Sequence, residues 1–180
     1  MNKLVSRLHT ELFAVLLGLI DGILTVLTLA TGHVMRPNDP VTLSLAIKVS
    51  LATSFSGACI FFFSKYSNLR QHLTHTEKEL NLSHHGRLAT TQLGKQALRE
   101  ALVGVIISSV FNFLGALLPL ETAVIFPKKQ WLAIVTAFSF LFLLGIFIAR
   151  LVYGTPFKWI LALLSAGAAV SYVGYKLNVI

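Results

Sequence analysis

Asp21 is where chemistry is first to be sought in this chain. It stands alone in an apolar run from Leu12 to Ala30, within the string GLIDGILTVLTLA. A helix of about 20 apolar residues crosses a bilayer. A carboxyl at that depth costs several kcal/mol, roughly 2.5–3.5 on insertion scales, unless a partner, a proton or water relieves it. Such a group marks an ion or proton path, or it is a protonated or salt-bridged structural residue.

Lys48 is the cation to weigh against it. Counted from a shared outer turn at 1.5 Å per residue, Asp21 lies a few residues deeper than Lys48. Two alternatives follow. The pair is a buried ion pair, or Lys48 moves away as a cation or proton arrives. Thr25 and Thr28 stand four and seven positions beyond Asp21, on its helix face. Their hydroxyls either line a hydrated path or bond back to their own turn. Asn112 is another strongly polar group within an apolar run.

A further cluster is polar throughout. His72 and His75 stand three apart, and Glu79 continues their helix face. That spacing suits a shared metal ion, or the residues belong to a solvated basic linker. No HExxH, EF-hand, P-loop or dinucleotide fingerprint occurs, and no nucleophile elbow. A soluble-type enzyme is not expected.

The elements that must position these residues are membrane helices. Of the 180 residues, 55% are hydrophobic and 12% charged, against about 25% charged in soluble domains. Repeated long apolar runs predict an all-α, polytopic membrane protein with five transmembrane helices. They fall at about 11–31, 41–64, 101–118, 131–149 and 157–175, in one domain over 1–180. The string RPNDP closes the first helix, Pro119 the third, and small residues mark the fifth.

The polar segment from about 65 to 100 carries Lys65, Arg70, Lys78, Arg87, Lys95 and Arg99. Basic loops stay inside, so this segment and the N-terminus are expected in the cytoplasm and the C-terminus outside. The net charge of +8 then reflects the positive-inside bias and affinity for anionic headgroups, with no call for nucleic acid. Helix lengths suit the cytoplasmic membrane of a prokaryote. The single Cys59 falls in an apolar run, so no disulfide framework is expected.

Four strings in order carry a resemblance. GLIDGILTVLTLATG, with its Asp-Gly pair, resembles the first helix of the vacuolar iron transporter family. SGACIFFFSKYS (56–67) is similar to that family's helix-two end, and FLGALLPL (113–120) to its helix-three exit. LFLLGIFIARLVYGTPFKWILALLSAGAAVSYVGYKL (141–177) resembles its helix four to five region. The resemblance implies a five-helix protomer that forms a homodimer. It implies export of divalent iron or manganese in exchange for protons, along a dimer-interface path lined by helix one. Fe2+ or Mn2+ would then be the transported ion, with no permanently bound cofactor. The family's Asp matches Asp21, paired with Gly22. Phe61 stands where the family has a helix-two Met, and Lys65 replaces the Glu before the matching Tyr66. These two replacements leave a second reading open, a family-shaped membrane protein that binds lipid or a partner, or passes another solute.

Overall fold

The computed structural model describes residues 2–34, 42–79, 92–126, 129, 131–152 and 154–177. Among them are five helices and no strand: α1 (Asn2–Val34), α2 (Leu43–Glu79), α3 (Gln92–Ile125), α4 (Trp131–Leu151) and α5 (Pro156–Leu177). All five contain a stretch long and apolar enough to cross a membrane. Helices are the expected solution, because hydrocarbon offers no partner to a backbone N–H or C=O outside its own segment.

Three helix ends carry local signals. Thr42 Oγ1 accepts a hydrogen bond from the Leu45 N–H at 3.3 Å, which caps the start of α2. Pro156 opens α5, where its missing N–H costs nothing and its fixed φ suits the first turn. The Gly154 N–H closes the end of α4 by donating to the Ala149 carbonyl at 2.9 Å.

α1 is the central helix. It packs on α3, α4 and α5, while α2 lies along α3 and meets α1 only lightly. Val26 and Ala30 of α1 join Ala46, Ala116, Leu120, Ala123 and Ala133 in one apolar cluster. Ile23 and Leu27 join Ala137 and Leu141 in a second. Apart from Leu120, the cluster residues of α2 and α3 are alanines, so those helices approach closely.

The helices extend past several of the expected boundaries. α2 and α3 run well beyond the apolar stretches, so the polar segment after Ser64 is helical to Glu79 and again from Gln92. Neither Gly nor Pro interrupts 65–79, and nothing in lipid thickness stops a helix at the headgroups. The third helix also passes through Pro119 to Ile125. Proline removes one N–H, but packing on neighbouring helices sustains such a site in membrane proteins. Here Pro119 is buried, and Thr122 Oγ1 donates to its carbonyl at 2.7 Å. The RPNDP string and residues 80–91 lie outside the described residues.

Candidate functional site

Asp21 lies at the midpoint of the Glu11–Thr31 span, about 15 Å from either end by helix rise. The helix around it is pressed against α3. A Cβ on Gly18 would strike the Ser108 carbonyl, and one on Gly22 the Asn112 carbonyl. From the other side, a Cβ on Gly115 would come within 2.8 Å of the Leu19 carbonyl oxygen. Gly18 and Gly22 are four residues apart, the small-residue spacing that lets membrane helices meet backbone to backbone.

This approach brings Asn112 to Asp21. Asn112 Nδ2 donates to Asp21 Oδ2 at 2.6 Å. Asn112 is 1% exposed, and its Oδ1 has no hydrogen-bond partner among the described residues. A buried oxygen left so costs about 1–3 kcal/mol. Gly57 of α2 covers the pair: a Cβ there would strike Asn112 Nδ2 and lie 2.8 Å from Asp21 Oδ2. Three helices therefore converge on one hydrogen bond.

The α2 face that does this reads Ser50, Ser54, Gly57, Phe61, at steps of four, three and four. Ser54 Oγ lies 2.7 Å from both the carbonyl and the hydroxyl oxygen of Ser109. Ser50 is fully buried, its Oγ unpaired among the described residues. Phe61 is 9% exposed and seats its ring on Gly104, where an added Cβ would lie 2.9 Å from Cε1. It acts as an apolar closure one turn beyond Gly57 and offers no sulfur or oxygen donor.

Asp21 itself is exposed in a single copy of the chain. With Phe13 and Leu17, also exposed, it forms an uncovered strip along α1. One carboxylate oxygen is held from the protein side by Asn112. Such a group can take a proton or bind a hard cation approaching from the strip.

Thr25 and Thr28 share the Asp21 side of α1 but bond back. Thr25 Oγ1 donates to the Asp21 carbonyl at 2.8 Å, and Thr28 Oγ1 to Leu24 at 3.1 Å. Of the two alternatives for these hydroxyls, this is the back-bonded one. Thr28 also backs onto α5, where a Cβ on Gly174 would lie 2.6 Å from its carbonyl oxygen.

Lys48 does not pair with Asp21. It is exposed and, among the described residues, has no ion-pair partner. Gly57, not a residue near Lys48, is level with Asp21. The nine residues from Lys48 to Gly57 make about two and a half turns and roughly 13 Å. Lys48 is thus on the opposite face of α2 and far nearer its end. Lys65, half-buried, lies eight residues beyond Gly57, roughly 12 Å in the other direction.

His72 and His75 are exposed on the polar part of α2, and the Glu79 side chain lies outside the described residues. No group of three His, Cys, Asp or Glu side chains placed to hold a metal ion is found among the described residues. Elsewhere, a recess of about 300 Å3 between α1, α3 and α4, with Leu19, Ile23, Leu118 and Phe147 in its walls, is apolar. It suits an acyl chain rather than an ion.

Sequence reasoning singled out Asp21 and Asn112 separately and missed Gly57, Gly18 and the Ser54–Ser109 pair. The spacing of Gly18 and Gly22 was the available signal for the α1–α3 approach.

The chain is 27% identical over 136 residues to an uncharacterized protein of Methanocaldococcus jannaschii, covering 74% of this chain and 71% of that protein. No family model matches the chain, and no solved structure matches it.

Proposed function

We propose that this protein is a proton-coupled transporter of a divalent transition-metal cation, iron or manganese, of the vacuolar iron transporter type. The observation that carries the reading is Asp21: a carboxylate at the middle of an apolar span, on an uncovered strip of the central helix. Intramembrane carboxylates of this kind serve ion pathways or proton relays. A carboxylate binds a divalent ion when deprotonated, so metal uptake and proton release at Asp21 are linked by its chemistry.

In this reading two copies meet along the Phe13–Leu17–Asp21 strip, which shields Asp21 from lipid and makes it line an intersubunit path. The N-terminus and the basic polar helices are cytoplasmic, as the Lys/Arg bias favours, and the C-terminus is outside. Export from the cytoplasm across a prokaryotic inner membrane follows from that orientation and from the family resemblance.

Phe61 favours a second reading. Its buried ring on Gly104 provides no soft ligand, and Lys65 adds positive charge on the same helix. A protein of this architecture that has given up metal transport for lipid or partner binding fits those two residues.

The test is uptake of iron(II) and manganese(II) into proteoliposomes at two pH values. Uptake that rises with a proton gradient supports the transporter. Its absence with both ions, in well-folded protein, supports the second reading.

A further inference from the structure

Three features of the Asp21 surroundings remain unexplained by a single carboxylate. Asn112 Oδ1 is buried without a partner among the described residues. The other end of the same amide is committed to Asp21 Oδ2. A glycine, at position 57, borders both groups where any side chain would collide.

We propose that Asn112 is the second oxygen ligand of the transported cation, its amide turning over when the cation reaches Asp21. This rests on the transporter reading. In the cation-free state the Nδ2 hydrogens stand in for positive charge beside Asp21. No hydrogen bond among the described residues holds the far end of the amide, so its orientation is set by Asp21 alone. A half-turn about the Cβ–Cγ bond exchanges Nδ2 for Oδ1. Two oxygens then face each other about 2.6 Å apart, the distance now spanned by the hydrogen bond. That arrangement is repulsive until a cation sits between them.

The spacing suits a small hard ion. Octahedral ligands at about 2.1 Å put neighbouring oxygens about 3 Å apart, so a shift of a few tenths of an ångström is enough. Gly57 leaves the space for it. The donors are a carboxylate and an amide oxygen, with no sulfur or imidazole. This set selects manganese(II) or magnesium over thiophilic ions. Within one copy no other acidic side chain lies in the apolar stretches of α2 to α5: α2 has none before Glu77, α3 none between Glu100 and Glu121, and α4 and α5 none.

Manganese(II) binding to the full-length protein in lipid nanodiscs, read by loss of the free-ion electron paramagnetic resonance signal, tests this without requiring transport. The expected result is binding by the wild type and at least about a tenfold loss of affinity in Asn112→Leu. Asn112→Asp, which always presents an oxygen, should bind more tightly than wild type. Wild-type affinity in Asn112→Leu overturns the assignment. If that variant fails to fold, unchanged or weaker binding by Asn112→Asp overturns it instead. Uptake by the wild type together with Asn112-independent binding would sink the ligand and leave the transporter standing. Asn112-dependent binding without any uptake would do the reverse.

Discussion

Gly57 of α2 lies so close over Asp21 of α1 that a Cβ on the glycine would stand 2.8 Å from the carboxylate Oδ2. It would also strike Asn112 Nδ2. The absence of a side chain at 57 is therefore a condition for the Asp21–Asn112 hydrogen bond. Gly57→Ala is expected to separate the two groups and to destabilise the protein by about 1–3 kcal/mol, the range for overpacking. Thermal unfolding in detergent checks it, and an unchanged midpoint would contradict the packing.

The glycines on α1 should be less forgiving than those facing side chains. A Cβ on Gly22 meets the Asn112 carbonyl and lies 2.9 Å from the Ala116 nitrogen, both backbone atoms. A Cβ on Gly104 meets only the Phe61 ring. Gly22→Ala should lower the unfolding midpoint more than Gly104→Ala, because a ring can tilt and a helix backbone cannot. Equal midpoints would argue against the close α1–α3 approach.

Lys48→Met should change little. The side chain is exposed and has no ion-pair partner among the described residues, and surface changes away from special features stay within about 0.5 kcal/mol. An Asp21–Lys48 ion pair would instead make Lys48→Met strongly destabilising. Chemical denaturation of the two proteins side by side distinguishes the cases.

Phe61→Ala should be costly. The ring is 9% exposed and fills the recess over Gly104. Phe→Ala in a packed interior costs about 3–5 kcal/mol, since a glycine opposite cannot fill the space. A loss below about 1 kcal/mol would show that the seam collapses to close the gap.

The membrane spans were legible because a run of about 20 apolar residues has few other uses. Their ends were not. The polar continuation of α2 to Glu79 has neither the apolar run nor the breakers by which a span is recognised, and Pro119 reads as a stop unless its neighbours are known. Asp21 was legible as an isolated charge, and Asn112 as an isolated amide. Their hydrogen bond joins residues 91 positions apart and depends on the register of α1 against α3, which no local pattern encodes. The depth of Lys48 is not legible for a related reason. Asp21 is 13 residues before the end of α1, whereas Lys48 is only five beyond the start of α2. The residue at matching depth is Gly57, which bears no chemistry and so draws no notice.

Asp21→Asn probes the central claim most directly. Asparagine still offers an oxygen to Asn112 Nδ2, so the variant should fold and unfold at nearly the wild-type temperature. Manganese(II) uptake would be measured in proteoliposomes of both proteins under the same proton gradient. On the transporter reading, uptake by the wild type depends on the gradient, and uptake falls to the protein-free background in Asp21→Asn. Wild-type uptake by a well-folded Asp21→Asn would contradict it.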